Sequence, residues 1–379
     1  MKSYKKQLLA SSTLVGAAAA LGGSPALAEM MEPSISVSGY FAHDTHFTSQ
    51  DLDTNRGTVS HFVDSEVFFN LHGELDNGIK IGGRVELEAL QAGDQIDETR
   101  LDVSGEWGMI RLGMSNSGRY AASWSVAGPN VAQGVSSGVQ TEWLAFPDAF
   151  HKDNNPNGIG GGAFFRQPLG SAHTDISNDD PAITYFSPRF NGFQFTATHR
   201  PTVRGGGSGG QNIGFANEAK DYTDAVDASV QYQGDVGGVG VTLMAGGASA
   251  SASSGAGGCG EDDYQAVNGG IKLSAQGFSV GGILSDVDDE QRCGSGTAMH
   301  VGASYGQGPW AISVTAHEGD HAQSARDGEA ELTVWAVGAR YTLGPGVRLV
   351  ASFQNAELTS ENGDSNEGQT VTTGLAISF

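Results

Sequence analysis

The chain has 379 residues, a formal net charge of −23, 57 glycines and only two cysteines. That acidity excludes a role built on gripping nucleic acid, whose phosphates require a basic surface. Beyond the N-terminal stretch no segment holds the roughly 18 apolar residues that a spanning helix requires, and no linker or composition shift divides the chain.

At the N-terminus, Lys2, Lys5 and Lys6 precede an apolar run from Leu8 to Leu21, and Ala26-Leu27-Ala28 follows. A charged region, an apolar region and a small-residue cleavage site together predict a secretory signal over residues 1–28, with a mature chain of 351 residues starting at Glu29. Losing the three signal lysines takes the net charge to −26. An exported chain without a spanning helix is periplasmic, secreted or a barrel in an outer membrane.

From Glu29 onward, period-two segments recur with connections that are short, then long, then short. Ile35, Val37, Gly39 and Phe41 alternate with Ser36, Ser38 and Tyr40 in a first strand, and a polar loop is expected over 44–59. The second strand, 62–75, sets Val63, Val67, Phe69 and Leu71 against Asp64, Glu66, Asn70, His72 and Glu74. Asn77-Gly78 is a hairpin turn. The third strand places Ile79, Ile81, Val85 and Leu87 on one face and Lys80, Arg84, Glu86 and Glu88 on the other. The fourth alternates Leu101 and Val103 with Arg100 and Asp102, and the fifth alternates Ile110, Leu112 and Met114 with Arg111. Residues 115–180 break the rhythm and form a connection far longer than an ordinary loop.

Further strands are expected at 182–189, 193–200, 225–233, 239–248, 264–274, 278–286, 297–305, 310–317, 331–342 and 347–356. The last strand carries Val371, Thr373, Leu375, Ile377 and Phe379 on one face. The count is sixteen, and short and long connections alternate throughout. Charged residues on inward faces would be ruinous in a dry core without partners but are normal in a water-filled lumen. Trp107, Phe193, Tyr232, Trp310, Tyr341 and Phe379 gather near the short turns, as aromatic residues do at membrane interfaces. The fold class predicted is all-β, a transmembrane antiparallel up-and-down barrel.

With its signal, its alternating strands and its terminal Phe379, the mature chain resembles a general Gram-negative porin of the sixteen-stranded proteobacterial type. The resemblance implies an outer-membrane channel for passive diffusion of ions and small hydrophilic solutes, without a cofactor. The partners implied are outer-membrane lipid and lipopolysaccharide, two further copies in a homotrimer, and assembly machinery that reads Phe379. It also implies that the third long loop, 115–180, folds into the barrel and narrows it, its carboxylates facing a basic cluster on the wall. Glu142, Asp148 and Asp153 are the acids expected there, with Asp175, Asp179 and Asp180 placed near the rim of strand six. Arg84, Arg100 and Arg111 share the inward parity on three neighbouring strands, with His72 on the strand before, and form the expected basic side. Acids on the inward faces of strands two and three predict a modest cation preference.

Signals of other chemistry are weak. His317 and His321 stand four apart at the expected opening of a polar loop, where helical spacing carries no metal site. Asp286, Asp288, Asp289 and Glu290 suggest loose divalent cation binding, but Gln291 occupies the position where a calcium loop of the EF-hand type requires glycine. No nucleophile elbow is present. The competing readings are a soluble or surface β-rich binding protein and a barrel hydrolase, and the second lacks an assembled Ser, His or acid site.

Cys259 and Cys293 fall in consecutive long loops, after the ninth and eleventh strands, with flexible glycines beside both. An oxidising compartment favours a bridge between them, closing a loop of about 35 residues and stabilising the chain by about 3–4 kcal/mol. Mass spectrometry of a non-reduced digest should find the two cysteine peptides linked; full alkylation of both without reductant would refute the pairing.

Overall fold

The computed structural model describes residues 32–52, 57–88, 95–132, 143–145, 166–177, 180–203, 222–253, 262–292, 294–321 and 328–379. The predicted signal, Glu142, Asp148, Asp153, Cys259 and Cys293 lie outside these residues. The strands are β1 (Ser34–Gln50), β2 (Val59–Glu74), β3 (Lys80–Glu88), β4 (Ile96–Gly105), β5 (Gly108–Met114), β6 (Pro181–Phe186), β7 (Phe193–Val203) and β8 (Tyr222–Val236). They continue with β9 (Val239–Ala252), β10 (Tyr264–Ala275), β11 (Phe278–Asp288), β12 (Gly296–Gln307), β13 (Trp310–His321), β14 (Ala330–Gly344), β15 (Val347–Thr359) and β16 (Ser365–Ser378). Among the described residues of the third long loop, Gly118–Ser123 form a short helix, α1.

The sixteen strands form one closed antiparallel barrel in which each pairs with its sequence neighbours and β16 closes on β1. The seam runs from Tyr40 opposite Ser378 to Gln50 opposite Gly368. At its foot Phe379 donates to Gly39 O at 3.0 Å and accepts from Gly39 N at 2.9 Å. The hairpin signals act as expected. Gly78 has φ +81°, and Asn191 and Gly192 have φ +49° and +88°, the left-handed pair that a tight hairpin needs.

Alternation decides which side meets lipid. Phe193 and Phe195 on β7, Leu284 on β11 and Ile312 and Val314 on β13 are exposed outward, while Thr196, Thr198, Ser285, Ser313 and Thr315 between them are buried inward. Ring pairs sit beside three short turns: Phe193–Tyr232 at 4.9 Å, Phe278–Tyr305 at 4.4 Å and Trp310–Tyr341 at 4.5 Å between centroids. The Phe278–Tyr305 pair is not foreseen in the sequence.

Most strands outrun their alternating segments. β1 continues to Gln50, through part of the expected loop 44–59, and β13 continues to His321. The His317–His321 stretch is therefore extended strand and not the start of a loop. Past the lipid band the outward face becomes polar, as at Glu318 and Asp320, so period-two hydrophobicity ends before hydrogen bonding does.

Packing is concentrated where the third loop meets the inner wall. Val126, Ala122 and Ala172 cluster with Met244, Ile283 and Ala298. Trp143, Leu144 and Leu169 cluster with Leu332, Val334 and Leu358. Glycines on inward positions of successive strands let the loop lie flush. A Cβ at Gly270 on β10 would stand 2.7 Å from Val126 Cγ2, and one at Gly338 on β14 would stand 2.9 Å from Ala132 Cβ. A Cβ at Gly302 on β12 would stand 2.8 Å from Thr315 Cγ2 and 3.1 Å from the Gly128 carbonyl carbon.

Gly302→Val should therefore push the loop from the wall. The expected cost is about 1–3 kcal/mol, as in other overpacked sites. It should appear as a lower unfolding temperature and altered single-channel conductance; unchanged values for both would show that the loop does not rest there.

Candidate functional site

The loop is pinned to the wall by buried polar groups. Ser117 caps α1, its hydroxyl accepting from Tyr120 N at 3.1 Å. Gly118 N donates to Thr198 Oγ1 on β7 at 3.0 Å. Arg119, fully buried, donates from Nη2 to Thr174 O at 2.8 Å, and its backbone N–H reaches Asp227 Oδ1 on β8 at 3.4 Å. Arg200 on β7 donates to Ser115 O at 3.0 Å and lies 3.5 Å from Asp227 and 3.8 Å from Asp175. Asp175 also accepts from Ser117 N at 3.1 Å. Buried charges persist only when paired in this way, and removing one partner costs about 3–5 kcal/mol.

Asp175, expected near the rim from its place before strand six, is an anchor by which the loop holds both its own Ser117 and Arg200 of the wall. Trp124, in the same loop, stacks on His173 with centroids 3.9 Å apart. Burial and the neighbouring His300 and His317 push the His173 imidazole down to about 3.

The inner faces of β2–β5 carry a ladder of alternating charge. Arg84 donates from Nε to Asn70 at 2.8 Å and pairs with Glu86 at 3.1 Å. Arg100 pairs with Glu86 at 3.3 Å and with Glu98, and its Nε lies 3.9 Å from Asp102. Arg111 closes a fork on Asp102 with contacts of 2.8 and 3.0 Å. Glu98 ties the ladder to the loop by accepting from Asn116 N at 3.0 Å. Aromatic faces back two of the cations: Arg84 lies 4.7 Å from the Phe68 ring centroid and Arg111 5.4 Å from that of Phe186.

Beside the ladder the wall is acidic. Tyr40 OH donates to Glu66 at 2.8 Å and to Asp64 at 3.0 Å. A register shift between Val85 and Leu87 brings Asp97 round to this side. There Glu66, Glu88 and Asp97 bring one ligand atom each within 4.8 Å of one another. Such a group draws cations toward it.

The expected basic residues are brought together in part. Arg84, Arg100 and Arg111 share one ladder, whereas His72 sits apart at its foot, exposed and hydrogen-bonded to Ser36 at 3.0 Å. Glu66, on the same inward face of β2, is held by Tyr40. Near Asp286, Asp289 accepts from Tyr222 OH at 2.6 Å, and the residues after it form a 3₁₀ turn. The charge of Asp262, with that of Asp288, holds the exposed Glu290 above the usual carboxylate range. Sequence reasoning missed the loop anchors Arg119, Asp175, Arg200 and Asp227; the one available signal was an inward arginine and an inward aspartate on neighbouring strands.

A search among curated protein sequences found no match. Solved structures share the fold at low identity. An anion-selective porin from Comamonas acidovorans is 17% identical with a TM-score of 0.57, covering 92% of this chain and 100% of its own. The outer-membrane channel DcaP of Acinetobacter baumannii is 12% identical with a TM-score of 0.58, covering 92% and 97%. The trimer form of OmpT, an outer-membrane protein of Vibrio cholerae, is 12% identical with a TM-score of 0.56, covering 92% and 100%. The family model described as Gram-negative porin matches residues 13–361. The chain, a closed sixteen-stranded barrel of the outer membrane, belongs to the Gram-negative porin family.

Proposed function

We propose that this outer-membrane channel passes ions and small hydrophilic solutes by passive diffusion, with a modest preference for cations. The observation that carries this reading is the charged inner wall of β1–β5, where arginines alternate with carboxylates and carboxylates predominate. Selection follows from size and from the field of those charges. The arginine ladder is the basic side of the constriction, opposed by acids of the third loop, for which Glu142, Asp148 and Asp153 are the candidates. Each ladder arginine is already compensated by a carboxylate, which supports cation preference. The trimer form of the OmpT structure supports a homotrimer here. Lipid and lipopolysaccharide cover the remaining outer face, no cofactor is required, and exposed acids such as Glu290 hold divalent cations loosely.

Planar-bilayer recording tests this. Discrete conductance steps should appear, and a dilute salt gradient should give a reversal potential on the cation side that shrinks as salt rises and screening shortens. Arg84, the most exposed ladder arginine at 33% of its side chain, should raise the preference when replaced in Arg84→Ala. An anion-side potential in the parent protein would overturn the selectivity.

Phe379 is proposed as the assembly cue, and its hydrogen bonds to Gly39 at the seam give it a structural role as well. Deleting it should reduce surface-exposed, heat-modifiable barrel in the outer membrane several-fold. Undiminished barrel from the truncated gene would remove that role.

A further inference from the structure

Three histidines form the contact between the third loop and the wall at β12 and β13. His300 and His317 stand directly opposite each other on the inner faces of these strands. His300 Nε2 meets Gly128 O at 3.2 Å and His317 Nε2 meets Leu169 O at 3.0 Å. Both acceptors are loop carbonyls, so both rings must carry their proton on Nε2. His173 comes from the loop itself, with its ring centroid 6.3 Å from that of His300. Ser123 donates its hydroxyl to Tyr120 O at 2.7 Å, so His173 Nδ1, 2.9 Å from Ser123 Oγ, must be the donor there. The second nitrogen of each ring (His173 Nε2, His300 Nδ1 and His317 Nδ1) is buried and has no hydrogen-bond partner among the described residues.

Among the described residues, the charged groups on the surrounding elements do not offset a second proton. Arg119 on α1 is held by Thr174 O, and Arg166 of the loop lies over the Tyr120 ring. Arg200 on β7 and Asp227 on β8 pair with each other, and Asp175 lies beside Arg200. The inner faces of β12, β13 and β14 add His321 and Arg340 and carry no carboxylate. A second proton on each ring would therefore place three cations together at one contact with no acid facing them among the described residues.

We propose that His173, His300 and His317 are a latch through which acid releases the third loop from β12 and β13 into the lumen, closing the channel. The sign follows from His173, pushed down to about 3 by burial and by the two histidines beside it. A docked ring that resists its proton contributes fully above the ordinary histidine value near 6.5 and loses that contribution as pH falls from there toward 3. For His173 alone, loop docking weakens on the order of a hundredfold between pH 7.5 and pH 4.

The inference rests on the channel reading, and one experiment separates them. Single-channel steps at pH 7.5 establish the channel, and the same bilayer is then taken to pH 4 and back. Open-state occupancy of the parent should fall at least about tenfold at pH 4 and recover on return. The triple variant H173Q/H300Q/H317Q keeps amide N–H donors for Ser123 and the loop carbonyls but takes no proton. Measured against its own pH 7.5 value, its response should shrink below about twofold, although the lumen carboxylates still titrate. Heat-modifiable migration on a gel reports whether the triple variant is folded. If it is not, H317Q alone takes its place, and should move the midpoint of closure to lower pH. Steps at pH 7.5 with no acid response in the parent, or an equal response in parent and variant, overturn the latch and leave the channel standing.

Discussion

Backbone hydrogen bonding sets the terms for this molecule. In hydrocarbon an unpaired N–H or C=O costs several kcal/mol, so a strand can cross only if both its edges are taken. Each of the sixteen strands meets that demand through its two sequence neighbours, and β1 and β16 meet it through each other. Once closure is fixed, the side chains divide by parity into a lipid face and a lumen face. The lumen face is then free to carry charge, glycine or polar groups because no fold-wide core depends on it.

The lumen is divided between two kinds of surface. From β7 to β15 the wall is dressed for contact, with small residues where the loop presses close and buried partners for Arg119 and Arg200. From β1 to β5 it is dressed for water, with part-exposed arginines and carboxylates in a ladder whose members fix one another's rotamers. Asn116 joins the two halves, since it leaves β5, binds Glu98 of the ladder and accepts from Arg166 of the loop. Wall and loop therefore share a single polar network rather than two separate ones.

The barrel was legible because parity is a local property of the sequence. Ile81 and Arg84 announce their opposite faces within one strand, and Asn191-Gly192 announces its own turn. The strand ends were less legible. β13 runs on through Glu318 and Asp320, where pairing with β12 and β14 holds the backbone after the hydrophobic signal has stopped. The site was legible only by half. The ladder arginines were found by parity, but their partners depend on register, and Asp97 reaches its place through a bulge that period two does not encode. The loop anchors were hidden for a simpler reason. Arg119 meets Asp227 across 108 residues of sequence, and nothing periodic in residues 115–180 points to the meeting.

The seam has a consequence for how the chain comes to be folded at all. His46 meets Thr372, and Thr48 meets Thr370, across separations of 326 and 322 residues. Every other wall contact is between consecutive strands and can form locally, whereas this one must wait for the whole polypeptide. Until then the growing sheet presents two raw edges and an apolar face to water, the form most prone to aggregate. Closing a ring of this size adds a substantial entropic barrier, although that barrier rises only slowly with length. The finished cylinder therefore cannot form before its last strand is present, and until then the sheet carries two edges that another chain could pair with.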